Sequence, residues 1–407
     1  MSLLLVVVDS LRSDVLGCCG GPAQTPFVDR LAAESVLFPR VVTAAPWTVP
    51  SLAAMLTGAH PHRLGLAKWE QPWPDGHPTL FDLAKRAGLE PASFVFDPRY
   101  LFSAVPAANV VGSSQRTDRV TGWLRAHRRD RFCAFVHYWW THVPYVAKPM
   151  TTQGWRMLSD QVLAALRAGP QAREGVKGLY RHAVERFSED WLPRVLDAID
   201  LDRTWLVLVA DHGESWGERP GAEVRDVFDL HGNELSEEVL RVPLLIRPPG
   251  GITARRIGGL ARTVDLLPTL AELLELGPAP DGIDGASLAD CVRRGTDAAA
   301  GDALSVQSGD FVNLPRLPET ADELWRAYAL TTPRYKLVWK PGERSRRAYD
   351  LAADPAEIVD VSERDAMLLA PLWRRLETER SRAIVGAFGE DDLRRVAERL
   401  RALGYVE

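Results

Sequence analysis

The features that most constrain this chain are short, unbroken apolar runs at residues 3–8, 93–96, 132–138, 205–210 and 242–246. Each has strand length, and none alternates apolar with polar residues. A strand that is apolar on both faces must be covered on both, as happens in a parallel sheet between layers of helices. Helical signals fall between the runs. TPFVDRLAAES opens on Thr-Pro, TLFDLAKRAG ends on Gly, and HAVERFSEDWLPRVLDAID continues the pattern. TVDLLPTLAELLELG aligns Leu266, Leu267, Leu270, Leu273 and Leu274 on one stripe before its Gly. Alternation of this kind predicts an α/β doubly wound fold, a central mostly parallel sheet sandwiched by helices.

Near residues 275–320 the composition turns to Gly, Ala and Asp, as in a linker or surface loop. Beyond it, RAYALTTPRYKLVWK and RRAYDLAADP read as hairpin strands, and the last 45 residues read as helical. The expected division is a catalytic domain over 1–300 and a small antiparallel-sheet subdomain over 301–407. With 49 basic and 54 acidic residues, the formal charge of −5 gives no reason to expect nucleic-acid binding. The basic run RAHRRDR reads as a solvated helix end. No apolar run reaches the ~18 residues of a membrane span, and residues 3–8 lack the basic flank of an export signal. Cys18, Cys19, Cys133 and Cys291 have no ligand-like spacing. Reduced thiols in a cytoplasmic protein are expected.

Two of the apolar runs end in acids: VVVDS places Asp9, and LVLVADHGE places Asp211 and His212. Ligands of open α/β sheets gather at the carboxyl ends of strands. Asp, Asp and His brought to one sheet edge would form a divalent-metal site. Thr48, in APWTVPSLAAMLTG, stands at the start of a helical segment with Pro50 in its first turn. The position suits a helix cap. It equally suits a nucleophile, because a metal can activate a Thr hydroxyl and a helix N-terminus favours an anionic group.

These residues lie in blocks that together resemble the sulfatase-like branch of the alkaline phosphatase superfamily. The blocks run in order: LLLVVVDSLRSDVLGCCG, then TPFVDRLAAESVLFPRVVTAAPWTVPSLAAMLTGAHPHRLG, FVHYWWTHVPY and LVLVADHGESWGE with HGNELSEEVLRVPLLIR. TVDLLPTLAELLEL, GIDGASL and YKLVWK with AYDLAADPAE complete the likeness. It implies an alkaline phosphatase-like fold and one divalent metal held by Asp9, Thr48, Asp211 and His212. His142 and His231 match substrate positions, where they would bind oxygens of the transferring group or move protons. Arg63 is a weaker substrate-binding candidate. His60, His62, His77 and His137 are assigned structural roles. Trp47, Trp69, Trp73, Trp139 and Trp140 are candidates for lining a pocket, with core packing the default.

The departures from the family pattern narrow the chemistry. The Cys- or Ser-x-Pro-x-Arg motif, whose first residue becomes formylglycine in true sulfatases, here reads Thr48-Val49-Pro50-Ser51-Leu52. Thr carries a methyl group on Cβ and cannot give that aldehyde. The Lys-Trp-His-Leu-Gly element is replaced by FVFDPRYL, Trp140 stands at an Asp position, and Ser10 stands where many relatives have a second Asp. The last two losses imply one metal. His212, where calcium sulfatases usually have Asn, shifts the preference to Mn²⁺ or Zn²⁺ over Ca²⁺ or Mg²⁺. The resemblance therefore implies a hydrolase or transferase of phosphate esters that works through a phosphothreonine at Thr48. Its expected partner is a small-molecule phosphate or sulfate ester, and a homodimer is an option. The alternatives are sulfuryl transfer to unmodified Thr48 and a non-catalytic metal-binding member of the fold.

Overall fold

The strand β1 (Ser2–Val8) is buried along its whole length and occupies the middle of a nine-stranded sheet. The computed structural model describes residues 1–67, 73–74, 76–96, 110–146, 151–219, 222–299, 301–309 and 320–385. The other strands of this sheet are β2 (Val36–Val42), β3 (Glu90–Val95), β4 (Val110–Ser113), β5 (Phe132–Tyr138), β6 (Thr204–Ala210), β7 (Arg241–Arg247), β8 (Arg255–Arg256) and β9 (Ala261–Arg262). Their order is β4-β3-β5-β1-β6-β7-β2-β8, with β9 also paired to β2. The five strands from β4 to β6 run parallel. In β1, β5 and β6 nearly every side chain is buried, because helices cover both faces.

Two readings need correction. The run at 242–246 lies within β7, which is antiparallel to both β6 and β2. Its side chains are buried on both faces like those of the parallel strands, so composition could not reveal its direction. β2 was not foreseen, since VLFPRVV is interrupted by Pro39 and Arg40. The pairing of β2 with β7 shifts register between Phe38 and Val41, where proline has no N–H to offer the ladder.

The helix Thr48–Thr57 is wholly buried. The helix Leu266–Leu273 ends four residues before Gly277, and its leucine stripe is buried as expected. The helix Pro170–Arg186 continues through a wider π-turn at Phe187–Trp191 into a further turn at Leu192–Leu196. RAHRRDR begins in the last two residues of the helix Thr117–Ala126, runs on past its end and is largely exposed. All four cysteines carry free thiols. Of the C-terminal helical reading, Ala366–Ser381 is a helix, and residues 386–407 lie outside the described residues, as do Trp69 and residues 97–101 of FVFDPRYL.

A second sheet is antiparallel and four-stranded: β10 (Ala303–Ser308), β11 (Trp325–Thr331), β12 (Tyr335–Lys340) and β13 (Ser345–Asp350). One side of it packs Trp325, Tyr328 and Leu337 against Leu369 and Leu376 of the last described helix. On another side, Ala303, Ala327 and Ala329 meet Val42, Leu240 and Leu260 of the main body. Val306 N donates to Ala44 O at 2.9 Å and ties β10 to the segment leading to Thr48.

Lys336 on β12 is fully buried, with Nζ 2.9 Å from Glu357 Oε1 and 3.3 Å from Glu237 Oε1. Removing one member of a buried pair leaves uncompensated charge. Lys336→Met should therefore cost roughly 3–5 kcal/mol of stability. Urea unfolding followed by tryptophan fluorescence would show it, and an unchanged midpoint would contradict it.

Candidate active site

The sheet brings three polar side chains to one edge. Asp9 follows β1, and its N–H donates to Tyr138 O at 2.8 Å, so the β1–β5 ladder continues to the last residue before the turn. Asp211 follows β6. His137 is the next-to-last residue of β5, in register with Val7. Because β5, β1 and β6 are neighbours, their carboxyl ends converge. His137 Nε2 lies 3.4 Å from Asp9 Oδ2 and 3.4 Å from Asp211 Oδ2. All three side chains are buried.

Hydrogen bonds from the surroundings hold this edge. Thr141 Oγ1 donates to Asp9 O at 2.5 Å. Tyr180 donates to Ser10 O and accepts from Arg12 N, fixing the turn after β1. Ser10 has a φ of 56°, and its hydroxyl donates to Asp9 Oδ1 at 2.8 Å. Gly213 is required after His212, because a Cβ there would sit 2.0 Å from Glu238 O.

Thr48 is the first residue of its helix, not its cap. Trp47 occupies the capping position, and no side chain makes a capping bond. The cap reading of Thr48 is thus corrected. Its Oγ1 instead lies 3.4 Å from Asp9 Oδ2 and 3.3 Å from His212 Nε2. The helix start is fixed from another position: Ser51 Oγ and Thr43 Oγ1 both reach Asp211 O at 2.6 Å. The two hydroxyls nearest Thr48 in the chain are therefore already committed to structure.

Three imidazoles line the same region. His212 and His231 stack at 4.8 Å between ring centroids, and His231 meets His142 edge-on at 5.0 Å. Nδ1 of His212 donates to Gly213 O, and Nδ1 of His142 donates to Val143 O, both at 2.8 Å. Nδ1 of His231 is 2.8 Å from Glu214 Oε1. Carbonyl and carboxylate oxygens only accept, so each Nδ1 carries the proton. That orients the rings and, in His212 and His142, leaves Nε2 as the lone-pair nitrogen of a neutral ring. Burial pushes His212 down to about 4 and His142 well below the usual histidine value. Burial also raises Glu214.

The donor set fits a divalent cation. Burial and the Asp211 charge push the Asp9 carboxyl well above the ordinary range, whereas His212 and His137 hold Asp211 low against its own burial. Asp211 Oδ2 and His137 Nε2 have no hydrogen-bond partner among the described residues. Two buried carboxylates with so little neutralisation call for positive charge, and Asp9, His137 and Asp211 have ligand atoms within 4.8 Å of one another. The structural reading of His137 gains a rival, since its Nε2 faces both carboxylates as a ligand atom would. The signal was available, since FVHY places a histidine at the carboxyl end of a buried strand, beside the strand of Asp9. Glu214 was also missed, and only the DHGE spelling hinted at it. Replacing His137 with Gln should weaken Mn²⁺ or Zn²⁺ affinity by at least ~10–100-fold. Competition with a fluorescent chelator would measure this, and an unchanged affinity would return His137 to packing.

The remaining candidates scatter. Arg63 Nη1 donates to Asp284 Oδ1 at 2.5 Å, so in this structure its guanidinium braces the loop after the Thr48 helix. His60 and His62 are buried and pushed down to about 3 by burial. Trp139 stacks on the His142 ring at 4.7 Å and is half-buried, which places it at the rim. Trp140, Trp47 and Trp73 belong to apolar clusters, as the default reading expected.

The Sulfatase family profile covers residues 2–99 and 113–276. The chain belongs to the sulfatase family. A second profile, that of the N-sulphoglucosamine sulphohydrolase C-terminal region, covers residues 228–382. This sulfatase-family chain is 25% identical over 384 residues to an ulvan-active sulfatase of Formosa agariphila, covering 81% of this chain and 73% of that protein. It is 22% identical to an uncharacterized sulfatase of Escherichia coli, over 68% of each. Among solved structures, a 2-O glycosaminoglycan sulfatase superposes with a TM-score of 0.76 at 18% identity, covering 94% of this chain and 92% of that one. A phosphonate monoester hydrolase from Silicibacter pomeroyi superposes at 0.71, also at 18% identity, covering 94% and 96%. These likenesses establish the α/β fold with its small antiparallel sheet. Among the described residues, no helix is long and apolar enough to cross a membrane.

Proposed function

We propose that this sulfatase-family hydrolase cleaves phosphate or phosphonate esters by direct attack of unmodified Thr48. One observation carries the reading: Thr48 Oγ1 stands at a helix N-terminus, within 3.4 Å of Asp9 Oδ2 and 3.3 Å of His212 Nε2. Asp9, His137 and Asp211 would hold a divalent cation, and a carboxylate–imidazole set favours Mn²⁺ or Zn²⁺ over Ca²⁺. When bound, such an ion lowers the pKa of a neighbouring hydroxyl and offsets charge on phosphoryl oxygens.

The chain's own groups supply the rest. Thr48 Oγ forms a bond to phosphorus as its proton passes to the His212 Nε2 lone pair. The bond from phosphorus to the leaving oxygen breaks, and that oxygen takes a proton from an Nε2–H of His231 or from water. Water then attacks the phosphothreonine, releases phosphate or phosphonate and restores the Thr48 hydroxyl. Glu214 holds His231 in one tautomer throughout. This scheme makes His212 a proton acceptor, where the sequence suggested a ligand. One lone pair cannot do both, and metal content in His212→Ala decides between them.

A second reading, sulfate-ester cleavage, draws on the relatives, whose names are those of sulfatases. Chemistry weighs against it: the methyl group on Thr Cβ rules out the aldehyde. The test is a panel with one p-nitrophenol leaving group and four transferring groups: phosphate monoester, phosphate diester, phosphonate monoester and sulfate. A preference for a phosphorus ester by at least ~100-fold in kcat/KM, about 3 kcal/mol in barrier, is expected. Turnover of the sulfate alone would overturn the assignment.

A further inference from the structure

Arg12 is a buried cation that the proposed reaction does not use. It sits in the turn after β1, three residues beyond Asp9, and its side chain is 8% exposed. Burying a guanidinium is costly unless its charge and its N–H groups are matched. Here Nε donates to Asp14 Oδ1 at 2.9 Å and Nη2 donates to Asp14 Oδ2 at 2.7 Å. Nη1 donates to Glu218 Oε1 at 2.7 Å and to Glu214 O at 3.0 Å. Cζ lies 4.4 Å from the centroid of the Trp216 ring. Glu214, Trp216 and Glu218 all belong to the loop that follows Asp211 and His212. Arg12 therefore joins the turn after β1 to the loop after β6.

Two paths lead from Arg12 to imidazoles of the site. Glu214, whose carbonyl Arg12 holds, has its Oε1 2.8 Å from His231 Nδ1. The next residue, Ser215, donates its N–H to Leu230 O at 2.6 Å, directly before His231. On the second path, Glu218 Oε2 accepts from Trp216 N at 2.7 Å, and Trp216 Nε1 donates to Tyr145 Oη at 3.0 Å. Tyr145 N donates in turn to His142 O at 2.9 Å. Among the described residues, the Arg12 side chain makes no hydrogen bond to Asp9, His137 or Asp211, which the strand ends place. A lysine could not copy this span, because its ammonium is a point charge without the planar fork.

We propose that Arg12 is a positioning residue. Without touching substrate, it sets where His231 and His142 stand relative to Thr48, and it leaves the cation seat to the sheet. The kinetic part of this inference rests on the reaction assigned to Thr48, whereas the placement of His231 does not. The effects should separate. Loss of the fork misplaces the imidazoles, and an error of about 1 Å in such groups costs up to ~100-fold in rate. Metal affinity should not follow.

The experiment compares the full chain with Arg12→Lys and Asp14→Asn. The first keeps the charge and loses the fork. The second, at a side chain 58% exposed, loosens one clamp on the guanidinium and should fold in any case. The Nδ1 proton of His231 is read by heteronuclear NMR of histidine-labelled protein and assigned by its absence in His231→Asn. Its resonance should shift or broaden in both variants. With the phosphorus ester that the native chain turns over fastest, kcat should fall ~10–100-fold in Arg12→Lys and less in Asp14→Asn. KM and Mn²⁺ affinity should stay within about threefold, a change too small to mark a lost ligand contact. Arg12→Lys combined with His231→Asn should lose no more than His231→Asn alone, whereas a purely structural role would add its own loss. An unchanged His231 resonance in both variants, additive losses, or a fall in Mn²⁺ affinity matching that in kcat would each overturn the proposal. A chain that turned over no phosphorus ester would sink the Thr48 reading, and the His231 resonance would still decide the role of Arg12.

Discussion

Thr48→Ala is expected to lower turnover by roughly 10⁴–10⁶-fold, the scale seen when a nucleophile acting with its base is removed. The hydroxyl is the group placed between Asp9 and His212, and Thr43 and Ser51 cannot replace it because both are held on Asp211 O. Stability should change little. Thr48 makes no capping bond, so the ~1 kcal/mol cost of losing a cap does not arise. Deleting a small group at a site 5% exposed costs about 0.5–1.5 kcal/mol. Thr48→Ser keeps the hydroxyl and should retain activity within ~100-fold, the loss reflecting a freer rotamer without the methyl group. Intact mass of an acid-quenched reaction should show a phosphoryl adduct on the native chain and none on Thr48→Ala. Full turnover by Thr48→Ala would remove Thr48 as the nucleophile and assign the attack to another group.

Much of this arrangement was legible because a parallel sheet has a strong sequence signature. β1, β5 and β6 are apolar on both faces, and the acids that close β1 and β6 stand out at their ends. Thr48 was readable from its place before Pro50, but the direction of its hydroxyl was not. Only the packed helix shows it aimed at Asp9 and not at its own backbone. β2 was hidden by Pro39 and Arg40, and the reversed direction of β7 leaves no trace in composition. A lone histidine in an apolar strand usually packs, so the sequence alone gives His137 a structural role. Strand order, which periodicity does not encode, sets it between two carboxylates. Glu214 and His231 are 17 residues apart in the chain, and the loop that joins them carries no regular pattern.

Asp9→Asn is expected to lower metal affinity by more than ~100-fold and turnover by about 10³-fold, several kcal/mol of lost charge stabilisation. Asn is nearly isosteric, and its Oδ1 can still accept from Ser10 Oγ, so the turn after β1 should survive. The apo protein separates this effect from misfolding. Asp9 and Asp211 are fully buried neighbours, and burial followed by Asp211 raises the Asp9 carboxyl above its unfolded value. A group raised in this way contributes stability below its unfolded pKa and loses it as pH rises through the folded value. At neutral pH the neutral amide should therefore leave the apo midpoint unchanged or higher. A cation at a hundred times its Kd should stabilise the native chain by about 2.7 kcal/mol, a shift of a few degrees, and the variant should show none. Scanning fluorimetry with chelator or Mn²⁺ reads both effects. If the variant kept the metal-dependent shift, the ion would sit elsewhere. If its apo midpoint fell by many degrees, Asp9 would hold the fold through its charge, and the carboxylate pair would be a structural element instead of a cation seat.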